Sequence, residues 1–281
     1  MHAVSHTGEA SSPRSSAADA GAAAPASFVA RAAALAYGAF CYAMFLGVFL
    51  YAIGWIGDFM TPTRLDGPRT GPFWAAVVIN LGLLTVFALQ HSVMARPTFK
   101  RWWTRFVPVP VERSTYVLCT NLALLLMFFA WRPMGGLVWD VQHPIGRAAL
   151  YTLYGFGWAL VLVATFLINH FDLFGLRQVW LYFRGRPYTH LPFATPWPYR
   201  IVRHPLYVGW LCVFWFTPTM TAAHLLFALV TTAYILVAIQ LEERNLVEHH
   251  GESYRRYRHR TPMLIPGAKR RGAEAPTLGA T

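Results

Sequence analysis

A chain of 281 residues that is 56% hydrophobic, only 13% charged and has a mean hydropathy of +0.37 carries several apolar runs of membrane-span length. This excludes a soluble domain and places it among polytopic membrane proteins. The formal net charge of +12 sits in loops and in the carboxy-terminal tail, where it encodes membrane topology rather than a nucleic-acid interface.

Residues 1–28, rich in Ala, Ser, Gly and Pro, read as a disordered tail. The first span is expected over Ala32–Ile56, too long for a signal-peptide core. A turn-rich loop leads to a second span over Phe73–Ala95, a basic loop to a third over Ser114–Trp131, and a short loop to a fourth over Ala148–Asn169. A long polar loop is expected from Phe171 to His204. The uncharged run Leu206–Leu241 exceeds the about 20 residues of one span and suits a hairpin of two helices of roughly 16 to 18 residues, each rising about 25 Å. The break is expected near Thr217-Pro218-Thr219. Beyond it the helix is expected to continue through Tyr254 and Tyr257 into a flexible basic tail over 266–281. Residues 29–265 thus read as one all-α polytopic bundle of four spans plus a carboxy-terminal hairpin. Cys41, Cys119 and Cys212 lie inside apolar runs as structural thiols.

Lys and Arg number five in 96–113, five in 171–204 and eight after 241, against two each in 57–72 and 132–147. The positive-inside rule then places both termini in the cytoplasm, for a bacterial chain at the inner membrane. The hairpin returns the chain to the face it left, so the turn Arg203-His204-Pro205 and the pair Glu242-Glu243 are expected side by side there. Carboxylates at a membrane boundary are costly and mark partners or ligands. Glu242 or Glu243 suits a ligand ammonium, and the amides opening the first hairpin helix suit a carboxylate. The competing reading pairs these glutamates with Arg203 or Arg200.

Tyr199, then Arg203-His204-Pro205-Leu206-Tyr207-Val208-Gly209, the hairpin, Glu242-Glu243-x-x-Leu246 and Gly251-x-x-Tyr254-x-x-Tyr257 resemble the core of the isoprenylcysteine carboxyl methyltransferase and phospholipid methyltransferase superfamily. The resemblance implies S-adenosyl-L-methionine as methyl donor, with no metal. It carries over Tyr199, Arg203, His204, Pro205, Leu206, Tyr207 and Glu242 as cofactor-binding residues, with His190, Leu191 and Gln178 as further contacts upstream. Ala238 stands where the prenylcysteine enzymes place an arginine for the substrate carboxylate, which argues against such a substrate.

Gln90-His91-Ser92, Glu112-Arg113-Ser114-Thr115-Tyr116 and Asn169-His170-Phe171-Asp172 through Gln178 look like the bacterial methanethiol S-methyltransferases, a branch near the NnrU-type proteins. The implied acceptor is a small volatile thiol, with membrane lipid as surroundings and no nucleic-acid partner. Dimethyl sulfide is the implied product, and hydrogen sulfide a smaller possible acceptor. Thiols ionise near or above the cysteine reference of about 8.5, so a base is useful. His170 oriented by Asp172 is the first candidate, His91 the second and His190 the third. His91 and His170 are also read as ordinary interfacial anchors at span ends. A lipid acceptor and a haem or metal site built from His91, His170, His190 and His204 remain as other readings.

Overall fold

A computed structural model describes residues 26–189 and 196–267, without the side chains of 249 and 250. The expected tails, 1–28 and 266–281, lie outside these residues except at their inner edges. Five helices among the described residues are long and apolar enough to cross a membrane. The protein is an all-α, multi-pass membrane bundle.

Helix α1, Phe28–Gly57, starts where the Ser27 side chain accepts from the Ala30 amide at 3.2 Å and stops where Asp58 turns left-handed at φ 59°. Its 30 residues rise about 45 Å, more than the hydrocarbon core, so it tilts or protrudes. Helix α2 is Phe73–Ala95, as expected. The basic loop after it holds α3, Pro97–Trp103, and a single 3-10 turn before α4, Glu112–Ala130. Two asparagines inside the spans are interhelical pins. Asn80 donates to the Arg132 carbonyl at 2.8 Å and accepts from its amide at 2.9 Å, and Asn121 donates to the Cys41 carbonyl at 3.4 Å. Trp131, which its place at a span end marks for an aromatic belt, is instead buried against Trp55 and Phe227 with its indole N–H on the Leu65 carbonyl.

Strand β1, Leu137–Asp140, precedes α5, Pro144–Ile168, which begins four residues earlier than Ala148 because Pro144 fits the first helical position. The expected loop 171–204 is largely helical: α6, His170–Leu173, α7, Leu176–Phe183, and α8, Trp197–Ile201. Helix α7 is short and amphipathic, and Val179 is buried where α7 lies along α1 near Gly38. Charge density makes such a segment look like loop, while its apolar face holds it at the boundary.

The hairpin breaks where expected, but its arms differ. Helix α9, Pro205–Trp215, has only 11 residues. The chain then runs extended through β2, Thr219–Thr221, before α10, Ala222–His250, of 29 residues. The short helix (~16 Å) and the extended stretch (up to ~20 Å) together span the ~31 Å that α10 covers from Ala222 to Glu242. Strand β2 pairs antiparallel with β1, Asp140 opposite Thr219. His224 closes this end, its Nδ1 2.9 Å from Asp66 and its Nε2 3.1 Å from the Phe214 carbonyl, a structural role as its position suggests. Gly157 of α5 and Gly209 of α9 meet so closely that a Cβ on either would stand 2.9 Å from the other's carbonyl oxygen. Small residues allow this backbone approach between apolar helices. The expected continuous helix beyond Glu242 is broken at Gly251, φ 54°, and restarts as α11, Glu252–Arg260.

Candidate active site

The Arg203-His204 turn before α9 is fixed from two sides. Its amides bond to the carbonyls of Pro262 (2.8 Å) and Met263 (3.3 Å), so the tail folds back beside it. From α10, Glu243 accepts from Arg203 Nε at 2.7 Å and from His204 Nε2 at 3.1 Å. Arg203 Nη1 also reaches the carbonyls of Arg258 (3.0 Å) and Thr261 (2.6 Å). Arg203, expected to touch the cofactor, therefore spends Nε and Nη1 on holding the turn, α10 and the tail together. Because Glu243 only accepts, His204 Nε2 is the donor in this contact.

Glu242 is the member of the pair left open. Its side chain is 46% exposed, it accepts from the Tyr207 hydroxyl at 3.2 Å, and it lies 4.0 Å from His204 Nδ1. Tyr199 stands near Glu242, and its buried hydroxyl has no hydrogen-bond partner among the described residues. The Tyr257 hydroxyl donates to the Tyr199 carbonyl at 2.5 Å. Burial raises the Tyr257 phenol to about 12 and raises Tyr199 as well, with Glu242 and Tyr257 adding to the rise in Tyr199. Both phenols stay protonated at working pH and serve as hydrogen-bond groups only.

Tyr234, Ala238 and Glu242 follow one another at four-residue spacing and so line one face of α10. Along that face polar contacts continue towards α2 and α4. Tyr234 bonds Ser92 at 3.0 Å, and Tyr207 lies within electrostatic reach of both Tyr234 and Tyr116. The Tyr116 hydroxyl is 3.0 Å from His91 Nδ1, Phe87 stacks on the His91 ring at 5.4 Å, and the Arg113 guanidinium lies 5.8 Å over the Tyr116 ring. His91 is thus linked to Tyr207 and Glu242 only through Tyr116, which bonds the His91 ring and lies within electrostatic reach of Tyr207. Ala238 contributes only a methyl group between them.

His170 lies elsewhere. It is 2% exposed, stacked on Phe166 at 4.2 Å and flanked by Phe45 and Phe174. The Thr165 hydroxyl donates to the Leu162 carbonyl and so accepts from His170 Nδ1 at 2.8 Å, which leaves Nε2 to accept from the Tyr42 hydroxyl at 2.8 Å. Both ring nitrogens are engaged. Asp172, expected to orient this ring, pairs instead with Arg177 at 2.9 Å and accepts from Tyr188 at 3.2 Å. The geometry does not join His170 to Asp172. Gln178 donates to the Asp172 carbonyl at 3.1 Å, and its buried amide oxygen has no partner among the described residues. His190 and Leu191 lie outside the described residues. Among the described residues no three His, Cys, Asp or Glu side chains converge as a metal would need. Tyr234 carried no signal in the sequence, and Ser92 and Tyr116 stood only within stretches of family resemblance, since hydroxyls inside apolar runs are common and only packing shows which of them meet.

Fold and site together define a multi-pass integral-membrane protein with a cluster of His, Tyr and Glu side chains where α9 begins beside α10. The chain is 58% identical over 240 residues to a methanethiol S-methyltransferase of Crocosphaera subtropica, covering 85% of this chain and 94% of that one. It is 56% identical over 230 residues to one of Mycobacterium tuberculosis, covering 82% and 94%. The chain belongs to the methanethiol S-methyltransferase family. Nurim of Sus scrofa is a more distant relative, 34% identical over 176 residues, 59% of this chain and 66% of that one. No family model and no solved structure matches the chain.

Proposed function

We propose that this protein transfers a methyl group from S-adenosyl-L-methionine to methanethiol, yielding dimethyl sulfide, S-adenosylhomocysteine and a proton. The observation that carries this reading is the single face of α10 on which Glu242 and Tyr234, with Ala238 between them, connect the Tyr199, His204 and Tyr207 cluster to His91. The residues present fit the donor: a half-exposed carboxylate for its ammonium, and beside it the buried Tyr199 hydroxyl that no described group satisfies. Tyr199, His204, Tyr207 and Glu242 would hold it, with Pro205 and Leu206 shaping the turn and with Gln178, His190 and Leu191 as outer contacts. When bound, the donor supplies an activated methyl group on a sulfonium.

The protein's own task is then orientation and deprotonation. Holding donor and acceptor in line is worth about 7 to 11 kcal/mol. His91 takes the thiol proton, with Tyr116 fixing the ring and the Arg113 charge favouring thiolate. The small wall at Ala238 suits a small acceptor, and hydrogen sulfide is the smaller thiol of the same chemistry. His170 and Asp172 act as positioning residues at the end of α5. Residues 29–265 form one methyltransferase domain in the inner membrane with both termini cytoplasmic, a topology supported by the five, five and eight basic residues on the site's side.

Cells expressing the chain and supplied with methanethiol should release dimethyl sulfide into the headspace above an empty-vector control. No excess dimethyl sulfide defeats the acceptor assignment, and a methylated lipid in the same cells would replace it.

A further inference from the structure

An open cavity of about 350 Å³ lies between α8, α11 and the start of the tail, lined by Arg200, Ser253, Arg256, Tyr257, Arg260 and Thr261. Its charged lining residues are three arginines with no carboxylate among them. Ser253, Arg256, Tyr257 and Arg260 follow the spacing of one helix face, so Arg256 and Arg260 of α11 point the same way, and Arg200 of α8 completes the group. Guanidiniums gathered like this repel one another until an anion joins them, and their planar forks match phosphate oxygens.

The surroundings distinguish a lipid from a soluble anion. On α8, Trp197 is 73% and Ile201 40% exposed, four residues apart on one side of the helix, and Ile265 of the tail is 69% exposed. An exposed indole and aliphatic side chains beside clustered arginines form the composition of a membrane interface, where apolar groups enter the acyl region and cations meet headgroups. A phosphate dissolved in water gains nothing from such a rim.

We propose that this cavity binds the headgroup phosphate of an anionic phospholipid, phosphatidylglycerol in the simplest case, from the leaflet on the site's side. The site is joined to the candidate active site through Tyr257, which donates to the Tyr199 carbonyl, and through Arg203, which holds the carbonyls of Arg258 and Thr261. A lipid that draws α11 towards α8 therefore steadies the turn that carries His204.

Native mass spectrometry of the full chain, purified in mild detergent and offered equal phosphatidylglycerol and phosphatidylcholine, tests this without any methyl-transfer assay. The parent is expected to retain phosphatidylglycerol severalfold over phosphatidylcholine, and Arg256→Gln with Arg260→Gln to lose that preference at an unchanged unfolding temperature. Arg256→Gln alone, expected to halve the preference or more, serves if the double variant does not fold. Equal retention of both lipids by the parent, or an undiminished preference in the variants, overturns the proposal. Inorganic phosphate binding the parent as tightly as the lipid does also overturns it, in favour of a soluble anion.

Discussion

Glu242 and Glu243 are neighbours in the chain with opposite surroundings. The Glu243 side chain is 7% exposed and locked to Arg203 and His204, whereas that of Glu242 is 46% exposed and meets the Tyr207 hydroxyl. One helical step of about 100° turns the first into a structural counter-ion and leaves the second for a ligand.

Glu242→Gln should fold normally and weaken binding of the methyl donor by roughly tenfold or more, the scale of a lost charge-assisted hydrogen bond. Unchanged calorimetric affinity would remove Glu242 from the donor site. Glu243→Gln should instead lower stability by about 3 kcal/mol, because it strands a buried guanidinium. Thermal unfolding in detergent reads this difference.

Tyr199→Phe deletes a buried hydroxyl that has no hydrogen-bond partner among the described residues. Stability should be unchanged or slightly raised, while donor affinity falls severalfold. A loss of stability with intact affinity would show that the hydroxyl serves the fold and not the ligand.

His91→Ala should lower turnover by about 10²- to 10⁴-fold, the usual scale for a general base, with donor affinity retained. His170→Ala should mainly lower the unfolding temperature, since it empties a closed aromatic box. Kinetics on both variants at matched folded fraction separate the two histidines, and the opposite pattern moves the base to His170.

Burial holds the His170 imidazole below its ordinary value of 6.5. The unfolded chain therefore binds more protons than the folded one as pH falls through about 6.5, and stability declines on that acid side. Above that value this histidine contributes no pH dependence. Unfolding temperatures across pH 5 to 8 should slope less in His170→Gln than in the parent, and equal slopes would assign the acid sensitivity to other groups.

Gly209→Val places a side chain against the Gly157 carbonyl and Val161 at under 3 Å. Overpacking of this kind costs about 1 to 3 kcal/mol. Because α9 carries the His204 turn at its start, donor affinity should fall along with stability. A stable variant with parental affinity would mean that the α5–α9 contact does not position the site.

Much of this site is legible in the residues. The uncharged run ending in two glutamates calls for a return to the same membrane face, and His204 does meet the Glu242-Glu243 end of α10. Which glutamate is free was not legible, because both sit at the same boundary and only helix rotation separates them. The unequal hairpin arms were hidden too, since an extended stretch paired to β1 is as apolar as the helix it replaces. His170 with Asp172 looked like a dyad through proximity in sequence, but Arg177 and Tyr188 take the carboxylate, and Tyr42 and Thr165 take the ring.

By itself the sequence determined the class, the spans and the face on which the polar segments gather. Transfer from water to lipid is a property of each segment on its own, so hydropathy and charge count suffice for it. Only the tertiary structure decided that Ser92, from a helix more than a hundred residues earlier in the chain, bonds Tyr234 on the α10 face that carries Glu242. That choice rests on how far each helix is turned about its axis, and close contacts between distant segments, such as Gly157 on Gly209, set those rotations.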